Sequence, residues 1–371
     1  MSRVVFTGAG ASKSFGLPLT GDLLGLILQG IKEATLFEGQ NNPKWCKRSR
    51  RALSNYLMRL LPGIELIAPE TMPMVTEVFS MVDYAINAEE LLPIGTIADH
   101  REFRHLLILA ITDIIMSDFE VDWDRNDPTE GRQADVFNAM VRYLKATPKG
   151  PINLISTNYD ITLESRLYYR FQDSNIAKQV DLGYDWRSVA GKVQTRASKP
   201  ELRVLKLHGS LDTLHCPYCG HVYFNPYGTI AWQAFRIDSD EDNMCECNDR
   251  DILGVHIVSM SLVRDIRDAN LLSVWRSALE TLRTANEWVI IGYSMPQEDL
   301  AIRSLLMRAY HGAGKKKPKI IIVQHGDKAK PAYISLFPNA KYFDQGLEQY
   351  LIKKGFLSDT SQSSKVIKKA K

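Results

Sequence analysis

Five short apolar runs, each followed by a cluster of small or polar residues, constrain this chain of 371 residues more than any other feature. The runs span Arg3–Thr7, Ile152–Ser156, 203–207, Glu287–Ile291 and Lys319–Val323. Helical periodicities lie between them, as at 269–285 and 297–310. Strands that alternate with helices predict a parallel sheet covered on both faces. We therefore predict an α/β fold built on a Rossmann-like parallel sheet.

The residues that follow these runs form what we call the strand-end clusters. They read GAGAS at 8–12, TNYD at 157–160, HGS at 208–210, GYS at 292–294 and QHGD at 324–327. In open parallel sheets, ligands bind beyond the carboxyl ends of the strands. The five clusters should therefore meet at one crevice, although they lie far apart along the chain.

Two segments interrupt this rhythm. The range 44–145 has long helical periodicities and is predicted to be a helical insertion. A cysteine-containing module occupies about 209–250, and we expect it to resemble a zinc ribbon. Both belong to one predicted domain over 1–357, and the Ser- and Lys-rich tail over 358–371 is predicted to be disordered.

The charge is mildly basic, with 46 Lys and Arg against 43 Asp and Glu and a formal net charge of +3. The tail over 358–371 carries four lysines and one acid, so the body is neutral. A neutral body makes direct nucleic-acid binding unexpected, except through a partner or the tail. No apolar run approaches the roughly 18 residues of a membrane span. With no secretory signal at the N-terminus either, we expect a cytoplasmic protein without membrane contact.

The cluster around Gly8 and Gly10 has two interpretations. Its glycines permit close approach of a phosphate, with a helix N-terminus behind them. A tight strand–helix turn without a ligand is the alternative. The dehydrogenase fingerprint is not met, because Lys13 stands where its third glycine belongs and no acid ends a second strand about 20 residues on. The cluster is therefore still compatible with a nucleotide site, whereas the missing fingerprint disfavours an enzyme that transfers hydride.

Three polar residues in the next clusters are candidate catalytic groups. Asn158 can orient a water or a ribose hydroxyl, and Asp160 can accept a hydrogen bond or stabilise a developing cation. Both alternatively form a turn that caps a helix near Ile161. Histidine is the usual general base near neutral pH, so His208 is a candidate for that role, with a purely structural role as the alternative.

The GYS cluster places Gly292 and Ser294 where they can contact the ribose or phosphate side of a nucleotide. Glu298 and Asp299 follow at the start of the next predicted helix. Acids at that position favour the helix dipole, so we interpret both as caps.

Four of the five cysteines form two pairs, Cys216 with Cys219 and Cys245 with Cys247. Four thiolates suit tetrahedral zinc, although one intervening residue in the second pair is unusual. The competing interpretation is redox chemistry, because Cys-Pro-Tyr-Cys resembles the glutaredoxin motif. That motif should open a helix, whereas the sequence after Cys219 looks like a ribbon turn, which favours zinc. Cys46 is predicted only to pack.

The order of these motifs resembles the sirtuin superfamily at both ends and in the middle of the chain, outside the helical insertion. The resemblance implies a Rossmann-like domain that binds NAD, with Asn158 and Asp160 facing the nicotinamide and its ribose and His208 as general base. It also implies a set of cofactor-binding residues: Gly8, Ala9, Gly10, Ser12, Gly292, Ser294 and Gln324.

The chain departs from sirtuin deacylases where those enzymes handle peptides. Residues 16–20 lack the Phe-Arg pair of their first loop, and 255–262 reads VHIVSMSL in place of their Phe-Gly-Glu clamp. This combination resembles bacterial sirtuin-like NAD hydrolases of anti-phage defence. The resemblance implies an enzyme that cleaves NAD to nicotinamide and ADP-ribose and so depletes NAD.

The alternatives are an NAD-dependent protein deacylase and a catalytically silent NAD or ADP-ribose sensor. The defence resemblance implies a separate partner such as a HerA-type ATPase, or control by self-assembly. We expect a homo-oligomer, with the helical insertion as the surface for oligomerisation or for a partner.

Overall fold

The computed structural model describes residues 2–40, 42–64, 72–89, 92, 94–117, 131–147, 150–171, 176–188, 192–226, 245–247, 253–258, 261, 268–297 and 299–359. Its strands are β1 (Arg3–Thr7), β2 (Ile152–Ser156), β3 (Val180–Asp181), β4 (Trp186–Ser188), β5 (Val193–Gln194), β6 (Leu202–Lys206), β7 (Gly209–His215), β8 (Val222–Phe224), β9 (Gly254–Ile257), β10 (Glu287–Ile291), β11 (Lys319–Val323) and β12 (Lys341–Phe343). Its α-helices are α1 (Ala9–Lys13), α2 (Leu23–Lys32), α3 (Pro43–Leu60), α4 (Val75–Asn87), α5 (Ile97–Ser117), α6 (Arg132–Lys145), α7 (Thr162–Tyr168), α8 (Ile176–Gln179), α9 (Ala269–Thr284), α10 (Leu300–Gly312), α11 (Lys330–Leu336) and α12 (Gly346–Lys353).

The larger sheet has the strand order β12-β11-β10-β1-β2-β6-β3 within the described residues, and every pairing in it is parallel. The run from β6 to β12 follows the 3-2-1-4-5-6 order of dinucleotide-binding folds, with β3 added at one edge. The direction of winding reverses between β1 and β10. A crevice beyond the carboxyl ends of these two strands is therefore the expected ligand site.

Both faces of this sheet are buried, because alternate residues of each strand point to opposite sides. On one face, Val5, Leu154 and Val289 pack with α6, α7 and α12. On the other face, Val4, Ile155 and Trp288 pack with α9, α10 and α11. The five predicted strands are confirmed, and the parallel, helix-covered sheet bears out the predicted fold class.

A separate core joins the helices α2 to α5 to a second sheet. Tyr56 of α3 stacks on Phe103 of α5 with ring centroids 3.9 Å apart. The same core contains the buried Cys216 and Cys245. The described part of the predicted insertion is helical, as expected. Its last helix, α6, packs instead with the parallel sheet, beside β2 and α12.

The second sheet was not predicted. Its order is β5-β4-β8-β7-β9 among the described residues, with mainly antiparallel pairings. After β4 and β5, the chain makes β6 of the parallel sheet and then returns directly to the second sheet, since only Leu207 and His208 separate β6 from β7. Gly209 makes this crossing possible, because its φ is +83° and a Cβ there would lie 2.0 Å from the His256 carbonyl oxygen. None of the described helices is long and apolar enough to cross a membrane. The tail from residue 360 lies outside the described residues.

Candidate functional site

A cavity of about 890 Å³ opens beyond the carboxyl ends of β1, β2, β10 and β11. Its volume is near the upper end of the range for ligand pockets, roughly 300–1,000 Å³. Every candidate catalytic or cofactor-binding residue except Gly8 lines it: Ala9, Gly10, Ser12, Asn158, Asp160, His208, Gly292, Ser294 and Gln324. The structure thus brings together residues that are separated by more than 300 positions in the sequence.

Three glycines join β1 to β10 at the winding reversal. A Cβ on Gly8 would lie 2.7 Å from Tyr293 Cα, and one on Gly10 would lie 2.9 Å from Gly292 Cα. The amide of Gly8 donates to Ile291 O at 3.0 Å, and that of Gly10 donates to Gly292 O at 2.8 Å. These two amides therefore bond the end of β10 and do not face a phosphate. The glycines allow close helix–strand packing, and a phosphate bound at this cluster would need donors other than these two amides.

Ser12, Asn158 and Asp160 form a hydrogen-bonded chain on the cavity wall. The Ser12 hydroxyl donates to Asp160 Oδ2 at 2.8 Å, and Asn158 Nδ2 donates to Ser12 Oγ at 2.7 Å. Because the carboxylate only accepts, this direction is fixed along the whole chain, and it assigns the orientation of the Asn158 amide. Asn158 Oδ1 is left as the acceptor of the pair.

The alternative local role predicted for this loop is only partly present. Asp160 Oδ1 accepts from Thr162 N at 3.2 Å, which is an Asx turn. The N-cap position of α7 is Ile161, and no side chain makes the cap hydrogen bond there. Asp160 therefore uses one carboxylate oxygen for the turn and the other for Ser12.

His208 lies between β6 and β7, and its side chain is largely buried. Its Nδ1 is 3.1 Å from the Thr157 carbonyl oxygen. A carbonyl can only accept, so Nδ1 carries the proton in the neutral ring and Nε2 is the basic nitrogen. This tautomer is the one a general base at Nε2 requires.

The opposite wall is held by Tyr293, Gln324 and Asp299. Gln324 Nε2 donates to Tyr293 O at 2.5 Å, and the Tyr293 hydroxyl donates to Asp299 Oδ2 at 2.9 Å. Asp299 occupies the N-cap position of α10, as predicted, but its carboxylate makes no side-chain cap hydrogen bond there. Glu298 lies outside the described residues. Ser294 is exposed at the cavity wall.

The helical core also supplies cavity residues that sequence reasoning missed. Met74 and Thr76 at the start of α4 and Ile115 of α5 line the cavity. No local pattern signals this role, because these residues look like ordinary positions on amphipathic helices. Lys13 is the one lysine or arginine on the described wall, and it pairs with Asp22 at 3.4 Å. Sequence reasoning treated Lys13 only as a missing glycine.

A second candidate site is the four-cysteine cluster. The sulfurs of Cys216, Cys219, Cys245 and Cys247 all lie within 4.8 Å of one another. The Cys219–Cys245 and Cys216–Cys247 sulfur separations are 3.5 and 4.0 Å. Tetrahedral zinc with Zn–S bonds of about 2.3 Å would hold its sulfurs roughly 3.8 Å apart. The predicted cysteine ligands therefore fit zinc.

The geometry around Cys216 and Cys219 does not match the redox alternative. These cysteines lie in the turn between the antiparallel strands β7 and β8, where Gly220 N donates to Cys216 O at 3.0 Å. No helix begins after Cys219 in this described hairpin. A reactive Cys-x-x-Cys at a helix N-terminus is thus excluded here. Cys46 is buried and its thiol donates to Phe37 O, as expected for a packing residue.

No family model matches the chain, and no curated protein does. Similar solved structures include Sir2Tm bound to a propionylated peptide, with 13% identity, a TM-score of 0.40, and coverage of 96% of this chain and 94% of that one. A Sir2–p53 peptide–NAD+ complex has 14% identity, a TM-score of 0.41 and coverage of 95% and 91%. A Sir2 homolog–NAD complex has 13% identity, a TM-score of 0.40 and coverage of 95% and 90%. Sirtuin structures are thus among those similar to this chain, while the chemistry of the site rests on its own residues.

Proposed function

We propose that this protein cleaves NAD with water at the bond between nicotinamide and ribose, giving nicotinamide and ADP-ribose. The observation that carries the proposal is the hydrogen-bonded chain Asn158–Ser12–Asp160, which lies with His208 on one cavity wall at the winding reversal of a dinucleotide-type sheet. The four cysteines add a structural zinc site to the same domain, and they take no part in the reaction.

The substrate has two ends, and the site offers different chemistry to each. Asn158, Asp160 and His208 stand together and suit the nicotinamide ribose. Gly292, Ser294 and Gln324 line the β10–β11 side and suit the rest of the dinucleotide. Two of the glycine amides are already bonded to β10, so Lys13 would meet the charge of the phosphates by turning from its partner Asp22.

Bond cleavage needs stabilisation of positive charge on the ribose. The C1′–N bond breaks, and its electron pair goes to the pyridinium nitrogen, so nicotinamide leaves as a neutral molecule. The ribose acquires oxocarbenium character in the process. The Asp160 carboxylate, oriented by Ser12, would stabilise that state electrostatically.

Water completes the reaction at C1′. Asn158 Oδ1 accepts one hydrogen of the water and orients its oxygen towards the carbon. The oxygen–carbon bond forms, and the released proton passes to Nε2 of His208 and then to solvent. The Thr157 carbonyl keeps Nδ1 as the protonated nitrogen, so that Nε2 is ready to accept.

The departures from deacylases support hydrolysis over acyl transfer. Where the deacylases carry their Phe-Gly-Glu clamp, this chain has β9 and its continuation, with Val258 N donating to His208 O at 2.8 Å. Tyr159 also donates its hydroxyl to Val258 O at 2.5 Å. The backbone groups of Val258 are therefore engaged by the protein itself.

The test is an assay of nicotinamide and ADP-ribose with and without an acyl-lysine peptide. We expect both products without peptide, and a fall in kcat of about 10²- to 10⁴-fold for His208→Ala and Asn158→Ala. Release of nicotinamide only with peptide would identify a deacylase. Saturable NAD binding without turnover would identify a sensor. Wild-type rates in both variants would disprove the assignment of the site.

We further propose that NAD cleavage serves anti-phage defence, with a HerA-type ATPase or self-assembly controlling it. The proposal is supported by the motif order and the missing peptide clamp. Cells that express the protein with its partner should lose NAD on phage infection and resist the phage. The His208→Ala strain should keep its NAD and be lysed like cells without the system.

A further inference from the structure

A buried ion pair lies directly behind the cavity wall. Lys206, the last residue of β6, points its ammonium group at Glu164 Oε1, 2.7 Å away on α7. The two side chains are only 8% and 3% exposed. The Lys206 ammonium also donates to the backbone carbonyl of Asp160. Neither Lys206 nor Glu164 lines the cavity.

This pair is not needed to pair the strands. The backbones of β2 and β6 are already in parallel register, with Ser156 opposite Lys206. A well-packed apolar pair commonly serves stability as well as a buried ion pair, or better, because removing two charges from water is unfavourable. Burial accordingly raises the pKa of Glu164 to about 7, although Lys206 acts to lower it. Packing and strand pairing therefore do not explain why an ion pair occupies this position.

The contacts of Lys206 lead to the candidate catalytic loop. Its ammonium fixes the carbonyl of Asp160, and the side chain of Asp160 in turn accepts from Ser12. Two residues further along the same strand end, His208 bonds the carbonyl of Thr157. The end of β6 thus holds the loop 157–160 at both of its ends.

We propose that Lys206 is a positioning residue for Asn158 and Asp160. In this proposal, Glu164 keeps the Lys206 ammonium directed at the Asp160 carbonyl. This inference rests on the proposed NAD cleavage for its catalytic consequence. Misplacement of a reacting group by about 1 Å lowers rates by about 10²-fold, so the anchor affects kcat more than substrate binding.

The experiment compares Lys206→Met with the double variant Lys206→Met/Glu164→Leu. The single variant leaves a buried carboxylate unpaired and should melt at a lower temperature. The double variant should recover the melting temperature but keep a kcat about 10- to 100-fold below wild type, with KM for NAD within about 3-fold. The control is Arg3→Met/Glu287→Leu. It replaces an ion pair at the amino-terminal ends of β1 and β10, away from the cavity, and should keep wild-type kcat.

Amide hydrogen exchange gives a readout that does not depend on turnover. Peptides that cover 157–160 should exchange faster in the double variant than in wild type or in the control. A double variant with recovered stability, wild-type kcat and wild-type exchange would overturn the proposal and leave the pair a packing feature. If wild type does not cleave NAD, the proposed function fails, and the exchange measurement still decides the role of Lys206.

Discussion

Gly292 shows how a single residue connects the fold to the site. Its φ is +64°, and a Cβ there would lie 2.1 Å from Ala11 N and 2.4 Å from Gly10 C. Both atoms belong to the start of α1, next to the cavity wall. Any side chain at 292 would push the start of α1 away from β10, where the dinucleotide is expected to bind.

We therefore expect Gly292→Ala to lose more stability than backbone strain alone explains. Gly355 is a matched control, because its φ is +76° and nothing lies within 4 Å of a Cβ there. Gly355→Ala should lower the free energy of unfolding by about 1–2 kcal/mol. Gly292→Ala should lower it by at least about 2 kcal/mol more and weaken NAD binding. If urea denaturation gave equal losses of unfolding free energy for the two variants, the close approach of Gly292 to α1 would not contribute to stability.

Asp113 gives a prediction for pH. It is buried in α5, where Oδ2 accepts from Phe37 N at 2.7 Å. Burial raises the pKa of Asp113 from 3.8 to about 6, although the Phe37 amide and Arg50 lower it in part. The folded state therefore binds this proton more strongly than the unfolded chain does. The resulting stability is fully present below about pH 4 and is lost as pH rises through 6.

Asp113→Asn cannot ionise, so it should gain on wild type as pH rises. Its free energy of unfolding, relative to wild type, should be higher at pH 8 than at pH 5 by on the order of 1 kcal/mol. The exposed Asp135→Asn is the control and should change by no more than a few tenths of a kcal/mol at either pH. A flat difference for Asp113→Asn between the two values would contradict the account.

At the residue scale, the members of the candidate site could be predicted from the sequence because residues that directly follow parallel strands meet at one edge of the sheet. Asn158, Asp160 and His208 each follow an apolar run, and parallel strands bring such positions together. The contact of Asp299 with Tyr293 was not predicted, since it depends on how the β10–α10 loop folds. The role proposed for Lys206 could not be predicted from the sequence for a similar reason, because its partners Glu164 and Asp160 belong to another strand–helix unit.

At the element scale, prediction worked for the five-residue strands of the parallel sheet, but it missed shorter strands and also the seven-residue β7 of the second sheet. The strands β1, β2, β10 and β11 are continuous apolar runs, and all were found. The second sheet contains strands of two to four residues, such as β4, β5 and β8. Strand β4 pairs with β8 more than 30 positions away, so tertiary contacts decide its structure.

The cysteine cluster makes the second sheet testable as an element. Cys216 is fully buried in the core shared with α3, α4 and α5, so losing a ligand should loosen that core. We expect about one zinc per chain by metal analysis. Cys216→Ser should lose the zinc and melt at a temperature lower by roughly 5 °C or more. Cys46→Ser should keep the zinc and the wild-type melting temperature. Less than half an equivalent in purified wild type would favour a metal-free ribbon.

At the scale of the whole molecule, the cavity is shared between the parallel sheet and the helical core. Met74, Thr76 and Ile115 bring the helical core to the same cavity that Asn158 and His208 line. We propose that partners or further copies act through these helices, since a shift of α4 or α5 would change the cavity directly. The lysine-bearing tail remains the proposed place for any contact with nucleic acid.

The central claim is that this cavity hydrolyses NAD without an acyl substrate. The most direct measurement is a time course of purified protein, assembled with its partner where one is needed, with NAD as the sole substrate. We predict nicotinamide and ADP-ribose in equal amounts, at a rate that His208→Ala lowers by at least about 10²-fold. Undiminished NAD, or nicotinamide release that begins only when an acyl-lysine peptide is added, would contradict it.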